Sequence, residues 1–490
     1  MAAPSLFRTA VRSGLWSFAE VSSRHWINLI VMIVLARLLG PAAFGIVAIA
    51  SAYIITTDLI VRGGLPEYVI KNETIDDQTC ATIFWANTAV SLVVIAVTWG
   101  IAEPMAWLFE APDLAAVLQA LSLVLFVRAI GATHEARLVR AFGFKVLAFR
   151  TLVASVVGGV VGVTMALAGF GIWSLVGERL GNHLSRTVLV WLATRWRPPF
   201  EFSLVVFRQV WRFGRSLTVS RLLASFDNQG QDFVIGGILG PQGVAYYRVA
   251  MYLLTAIIQV TIVPLTRVAL PGFARLQGEP SRLADAYLKS AHIAALAALP
   301  LFFGGAVVAP DIVTLVFGRQ WAPSAWVLQI LCLAAPLHVL LYFYEPALIG
   351  VGRTQDLLRA RIVQTAAGLG SAAVAAPFGV NWVAFGNAAR MFAVGAYVLG
   401  LLQRVIGVPA RRLLLDECGP LAAALAMAIG VLALRWQLEG WSPLPLLLVS
   451  VAAGALFYGT AVLLFLPNSR QLLGRIVRAL KPGTEAAARH

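Results

Sequence analysis

The sequence predicts an all-α integral membrane protein with about fourteen transmembrane helices. Of its 490 residues, 59% are hydrophobic and only 12% are charged, and the mean hydropathy is +0.82. A soluble domain carries about 25% charged residues, so this chain is too apolar for a soluble fold. Apolar runs of roughly 20 residues, the length that crosses a bilayer, follow one another closely. Little of the chain remains for a large soluble catalytic domain.

Apolar runs between polar segments give the individual spans. We expect them at residues 16–36, 42–61, 81–102, 114–133, 151–169, 173–193, 216–236, 243–264, 290–309, 324–345, 362–377, 382–402, 419–436 and 443–466.

The basic residues between these spans indicate the orientation. The side that carries both termini holds nearly all of them, and the other side holds only Arg37, Arg319 and Arg435. Because cytoplasmic loops are rich in Lys and Arg, both termini are predicted to be cytoplasmic. The first apolar stretch contains Glu20 and Arg24 and is too long for a removable signal sequence. The positive charge therefore reflects membrane topology, and no nucleic-acid partner is predicted.

An internal repeat divides the chain. At an offset of 200 residues, Phe7-Arg8 aligns with Phe207-Arg208, and Leu39-Gly40-Pro41 aligns with Leu239-Gly240-Pro241. The repeat predicts an N-lobe of helices 1 to 6 (1–200), a C-lobe of helices 7 to 12 (201–405), and a C-terminal part with two helices and a basic tail (406–490). An even number of spans per copy predicts two six-helix bundles related by a pseudo-two-fold axis along the membrane normal. Transporters built this way bind substrate near the midplane.

Charged residues inside the predicted spans are the main functional signal. A charge at a helix centre costs about 2.5 to 3.5 kcal/mol on insertion scales, so these residues are expected at a wet cavity, a partner or a helix end. Seven are basic and six are acidic: Arg24, Arg128, Arg179, Arg186, Arg221, Arg248 and Arg390, with Glu20, Asp58, Glu178, Asp227, Asp232 and Glu345.

Helical spacing places several of these side chains on polar stripes. The stripes are Ser17, Glu20, Arg24 and Asn28 on helix 1; Arg221, Ser225, Asn228 and Asp232 on helix 7; and Arg248, Tyr252, Thr255 and Gln259 on helix 8. They predict a cavity lined by Asn28, Asn228, Tyr252 and Gln259. Guanidiniums suit phosphate because each forms two parallel hydrogen bonds and stays charged. The predicted cationic, substrate-binding residues are Arg24, Arg221, Arg248, Arg179, Arg186 and Arg390.

Structural roles remain open for the same residues. Glu20 and Arg24 could neutralise each other, because they lie one helical turn apart. The side chains of Arg128, Arg186 and Arg390 could extend their guanidiniums to the membrane–water interface. Candidates for binding a coupling proton or sodium ion are Glu20, Asp58, Asp227, Asp232 and Glu345, unless these acids only balance the arginines. The sequence contains no phosphate-binding Gly-rich loop with its lysine and no His/Cys metal spacing. We therefore predict no cofactor, no metal and no catalytic residue.

Three segments resemble a known family. They are Leu35-Ala36-Arg37-Leu38-Leu39-Gly40-Pro41 with Phe44-Gly45, the stretch Asp227 to Asp232 followed by Leu239-Gly240-Pro241, and Leu270 to Gln277 after Tyr246-Tyr247 and Pro264. In these segments the sequence resembles polysaccharide (lipid-linked oligosaccharide) flippases of the multidrug/oligosaccharidyl-lipid/polysaccharide (MOP) superfamily. The basic stretch from Arg140 to Lys145 is similar to the colanic-acid-exporter-like branch.

The resemblance implies a non-enzymatic transporter of the bacterial cytoplasmic (inner) membrane. Such proteins move undecaprenyl-pyrophosphate-linked oligosaccharide repeat units by alternating access during lipopolysaccharide, capsule or exopolysaccharide synthesis. The implied partners are this glycan, membrane lipids, and a polysaccharide polymerase with its chain-length machinery. The alternatives are a MATE-like exporter of amphiphilic small molecules, a membrane glycan polymerase or ligase, and a structural scaffold. Cationic drugs would favour a more acidic cavity, and an enzyme would need a larger external loop.

Overall fold

The computed structural model describes residues 3–71 and 75–465, without the side chains of residues 3–26, Ser216, Asp227, Asn228 and Phe465. This part of the chain forms sixteen α-helices and two short 3-10 turns, and it contains no β-strand. The prediction of an all-α fold is confirmed.

The chain divides into two compact units, Met1–Tyr246 (unit 1) and Tyr247–His490 (unit 2). The division falls inside helix α7, so the lobe boundaries predicted from the repeat stay a prediction. The helices that begin in unit 1 are α1 (Ala3–Arg62), α2 (Leu65–Lys71), α3 (Asp77–Leu108), α4 (Asp113–Arg140), α5 (Phe144–Leu167), α6 (Trp173–Ala193) and α7 (Leu204–Thr261). The helices of unit 2 are α8 (Val263–Arg275), α9 (Pro280–Val316), α10 (Ala322–Leu341), α11 (Tyr344–Gly350), α12 (Thr354–Ala375), α13 (Val380–Val405), α14 (Ala410–Asp416), α15 (Cys418–Gln437) and α16 (Pro443–Phe465).

Helices α1 and α7 share the same kink. Gly40 has φ 78° and ψ 173°, and Gly240 has φ 68° and ψ −177°. Each glycine is followed by a proline, Pro41 or Pro241. Glycine adopts positive φ at little cost, and proline lacks the N–H that an unbroken helix needs. The sequence predicted a short loop between two helices here, but the helices join at a bend. Its recurrence supports the internal repeat.

Ten stretches of the described residues are long and apolar enough to cross a membrane. The chain is therefore a multi-pass membrane protein. This criterion treats each kinked helix as one span and does not include α6 or α12. The count of fourteen stays a prediction.

Two side-chain pairs join α15, together with the residue that precedes it, to α9 within unit 2. His292 Nδ1 lies 3.2 Å from Glu417 Oε2, and Arg435 pairs with Asp311. His292 and Asp311 are nineteen residues apart, which is about 28 Å along a helix. Glu417 and Arg435 are eighteen residues apart, which is about 27 Å. Because the hydrocarbon core is about 30 Å thick, the two pairs lie near opposite membrane faces and the helices run in the same direction.

Candidate functional site

Charged side chains from α1, α2, α4, α5, α6 and α7 meet inside unit 1. We call them the guanidinium cluster and define it as Arg62, Arg128, Arg150, Arg186 and Arg221 with Asp58, Glu67, Glu135 and His183. Each member forms an ion pair or an electrostatic interaction with another member.

Asp58 is the most buried carboxylate of the cluster, at 3% exposed. Its Oδ2 atom lies 3.0 Å from Arg62 Nε, one turn later on α1, and 3.0 Å from Arg128 Nη2 on α4. Asp58 Oδ1 is buried and accepts no hydrogen bond from the described part of the chain. Since a buried charge is costly unless it is paired, the two guanidiniums account for the presence of this carboxylate.

Glu135 and Arg150 form a second pair, between α4 and α5. Arg150 donates through Nη1 to Glu135 Oε2 at 3.3 Å and through Nη2 to Oε1 at 3.1 Å. This is the fork geometry that guanidiniums form with carboxylates and phosphates. Glu135 also interacts electrostatically with Arg62 and Arg186, so it links this pair to the rest of the cluster.

Glu67 on α2 and Arg221 on α7 form the most exposed pair. Arg221 Nη1 donates to Glu67 Oε1, with side chains 41% and 26% exposed.

The second half of α1 and the turn after it position α7 by backbone contact. A Cβ atom on Gly214 would lie 2.0 Å from the carbonyl oxygen of Gly63, and one on Gly45 would lie 1.8 Å from that of Pro241. Only glycine permits this approach, which brings Arg221 to Glu67.

Helix α6 contributes an imidazole surrounded by positive charge. His183 interacts electrostatically with Arg62, Arg128, Arg179 and Arg186. The described side chains of the cluster comprise five guanidiniums and three carboxylates, so its composition is cationic. A site with this composition favours an anion with several oxygen acceptors.

Three of the residues predicted from sequence, Asp58, Arg186 and Arg221, belong to this cluster. Arg179 lies beside it and pairs with Glu178 at 3.4 Å. Also in unit 1, Asp232 is 3% exposed and Asn28 is exposed. The side chains of Glu20, Arg24, Asp227 and Asn228 lie outside the described residues.

The other predicted residues lie in unit 2. Arg390 donates through Nη2 to Asn387 Oδ1 at 2.8 Å, and Glu345 accepts from Arg361 Nη2 at 2.7 Å. Arg248 and Tyr252 are half-buried, and Gln259 is exposed. Their roles as cavity residues stay predictions.

Five members of the cluster did not emerge from the sequence. His183 was not singled out as a site residue, and Arg62, Glu67, Glu135 and Arg150 were assigned to loops because they lie outside the predicted apolar spans. The helices extend past those runs: α4 continues to Arg140. The i, i+4 spacing of Asp58 and Arg62 was a signal that could have identified this pair. In the described residues, no group of three His, Cys, Asp or Glu could hold a metal ion.

Sequence comparisons place the chain among proteins of surface-glycan synthesis. A family profile described as "Polysaccharide biosynthesis protein" matches residues 34–326. The succinoglycan biosynthesis transport protein ExoT of Rhizobium meliloti (strain 1021) is 28% identical over 97% of each chain. The lipopolysaccharide biosynthesis protein WzxC of Escherichia coli (strain K12) is 26% identical over 68% of each chain.

Solved structures share the fold at low identity. The lipid II flippase MurJ in an inward closed conformation aligns with a TM-score of 0.76 and 13% identity, covering 94% of this chain and 99% of that one. An inward-facing multidrug resistance MATE family transporter of the MOP superfamily aligns with a TM-score of 0.55 and 15% identity, covering 78% and 95%. At these identities the likeness shows the fold alone.

Proposed function

The chain belongs to the polysaccharide biosynthesis protein family, and we propose on that basis that it is a flippase for lipid-linked oligosaccharides. Its substrate would be a repeat unit on undecaprenyl pyrophosphate, moved from the cytoplasmic to the periplasmic leaflet of a bacterial inner membrane. Relatives named for succinoglycan and lipopolysaccharide biosynthesis support the proposal, as does the fold shared with a lipid II flippase. The loop charges support cytoplasmic termini.

The charge balance of the guanidinium cluster is the observation that carries this proposal. A pyrophosphate esterified at both ends, as in a lipid-linked sugar, has two negative charges at neutral pH. The cluster contains five guanidiniums and three carboxylates among the described side chains, so it offers this headgroup a cationic site. The fork that Arg150 forms with Glu135 is a geometry that guanidiniums also offer to phosphate.

Differences in exposure suggest an order of binding. Arg221 is 41% exposed and Arg128 is 26% exposed. The pyrophosphate therefore first displaces the Glu67 carboxylate from Arg221. It then reaches the guanidiniums around Asp58. Arg24, Arg248, Arg179 and Arg390 are proposed, from their positions in the sequence, to bind the headgroup as well. The sugars remain in water, the lipid tail stays in the bilayer, and alternating access exposes the headgroup on the other side.

The energy source is proposed to be a proton or sodium gradient. Among the described side chains, Asp58 and Asp232 are the most buried of the acids predicted for this role, each 3% exposed. If the rate of transport into vesicles is the same with and without a proton or sodium gradient, these acids only balance the charges of arginines.

A MATE-like exporter of amphiphilic small molecules is a weaker alternative. Cationic drugs would be repelled by a cluster in which guanidiniums outnumber carboxylates. A glycan polymerase or ligase would instead form glycosidic bonds, which purified protein supplied with lipid-linked glycan would reveal. We propose that it forms none, and that polymerase and chain-length proteins act after it.

Depletion of the protein in its native cell tests the function. The lipid-linked repeat unit should accumulate on the cytoplasmic leaflet, and expression of the wild-type chain should clear it. A variant with Arg62→Gln and Arg128→Gln, present at the same level, should not clear it. Disappearance of surface polysaccharide without accumulation of this intermediate would contradict the proposal.

A further inference from the structure

Arg390 lies deep within a membrane-spanning helix of unit 2. Helix α13 (Val380–Val405) is one of the candidate spans. Arg390 is ten residues from its first residue and fifteen from its last, which is about 15 Å and 22 Å along the helix. The hydrocarbon core is about 30 Å thick, so Arg390 lies within it. A charge at this depth is costly against lipid, and the contacts of the guanidinium therefore indicate its role.

The guanidinium of Arg390 is directed at a buried amide. Its Nε and Nη2 atoms both donate to Asn387 Oδ1, at 3.1 Å and 2.8 Å. Asn387 is 3% exposed, and its Nδ2 atom donates to the hydroxyl of Tyr247, which is also 3% exposed. His338 on α10 interacts electrostatically with Arg390. The guanidinium is therefore held against the interior of unit 2 and is not extended to the membrane–water interface.

One edge of this guanidinium is available to a ligand. Among the described residues, no carboxylate pairs with Arg390, and its hydrogen bonds are the two to Asn387 Oδ1. Those bonds use the N–H of Nε and one N–H of Nη2. The edge formed by Nη1 and the second N–H of Nη2 has no partner in this part of the chain. Arg390 is half-buried, so a ligand can approach that edge.

The free edge and the charge of the site indicate the chemistry of the ligand. A guanidinium presents two parallel N–H groups to a carboxylate, and this pair balances one positive charge. The amide of Asn387 and the phenol of Tyr247 are neutral groups that also hydrogen-bond to hydroxyls. The site therefore suits a group with one negative charge that is attached to a hydroxyl-rich molecule.

We propose that Arg390, positioned by Asn387, binds the carboxylate of an acidic sugar in the repeat unit. This inference rests on the proposed flippase function. It assigns Arg390 to the sugar part of the headgroup, whereas the guanidinium cluster of unit 1 is proposed to bind the pyrophosphate. Acidic and neutral glycans would then differ in their affinity for the protein.

Transfer of two lipid-linked oligosaccharides across proteoliposome membranes tests the proposal. They carry either glucuronate or glucose as the terminal sugar and are otherwise identical. The KM of the wild type should be roughly ten-fold lower for the acidic glycan, since hydrogen bonds to a charged group contribute about that factor. Arg390→Gln should raise the KM for the acidic glycan to that for the neutral one, with kcat little changed.

Asn387→Asp is a second variant, and it keeps the guanidinium. It places a carboxylate at the position that Arg390 already contacts, and Tyr247 can donate its hydroxyl proton to that carboxylate. Because Arg390 is then paired within the protein, the preference for the acidic glycan should disappear. The matched control is Arg319→Gln, which removes an exposed arginine of unit 2 and should keep the wild-type preference.

The outcomes separate this inference from the proposed function. Equal KM values for the two glycans in the wild type would overturn the inference, and so would a wild-type preference in Arg390→Gln or in Asn387→Asp. If one of these variants does not fold, the other decides. If the wild type moves neither glycan, the flippase proposal fails and the inference falls with it.

Discussion

Arg128 on α4 lies 3.0 Å from Asp58 on α1, and only 5% of the Asp58 side chain is exposed. Breaking a buried ion pair by removing one partner costs about 3 to 5 kcal/mol, because the remaining charge is uncompensated. This pair therefore both stabilises unit 1 and compensates a guanidinium charge inside the membrane domain.

Asp58→Asn should lower thermal stability in detergent, because it leaves Arg62 and Arg128 facing each other without their carboxylate. Adding Arg128→Gln should recover part of the loss, with a coupling of about 1 to 3 kcal/mol. The measurement is a double-mutant cycle: the folded fraction after heating is determined for the wild type, each single variant and the double variant, and the stability losses are compared. Strictly additive losses would mean that the pair does not interact.

Arg221→Gln should reduce transport at least ten-fold with little change in stability, because its pair with Glu67 is partly exposed and such pairs contribute at most about 1 kcal/mol. The matched control is Arg282→Gln, which removes an exposed arginine paired with Glu279 at 2.7 Å outside the cluster. Both variants are compared by glycan export at equal protein level. Loss of export in both would point to an effect of net charge rather than of this site.

Gly214→Ala should destabilise the protein by about 1 to 3 kcal/mol, because its Cβ would lie 2.0 Å from Gly63 O. Gly237→Ala is the control on the same helix, since its Cβ would meet nothing within 4 Å. That control should be neutral or stabilising by up to about 1 kcal/mol. The check is the melting temperature of both variants, and a Gly214 variant as stable as the control would show that α1 and α7 can separate freely here.

Arg435→Asp should weaken the attachment of α15 to α9, since it places a carboxylate against Asp311. The combined change Arg435→Asp/Asp311→Arg should restore the wild-type melting temperature, because the pair is re-formed with its charges exchanged. If the double variant is no more stable than the single one, the pair does not stabilise this contact.

Composition and hydropathy were enough to predict the membrane class and the all-α fold, and the three quoted sequence segments carried the family resemblance; all three are confirmed. Long-range pairing could not be predicted. Glu67 meets Arg221 across 154 residues, and nothing local to either residue indicates that contact. Arg150 was assigned to a loop because α5 begins at Phe144, several residues before the apolar run from which its span was predicted. The predicted orientation of the loops stays a prediction.

Transfer of a fluorescent undecaprenyl-pyrophosphate oligosaccharide across proteoliposome membranes tests the central claim most directly. Externally added quencher reports the fraction of headgroups that remain outside. The wild-type protein should accelerate equilibration of the two leaflets, Arg62→Gln/Arg128→Gln should slow it at least ten-fold, and Arg404→Gln/Arg411→Gln should leave it unchanged. Equal rates for the wild type and the cluster variant would contradict the claim that the guanidinium cluster binds the pyrophosphate.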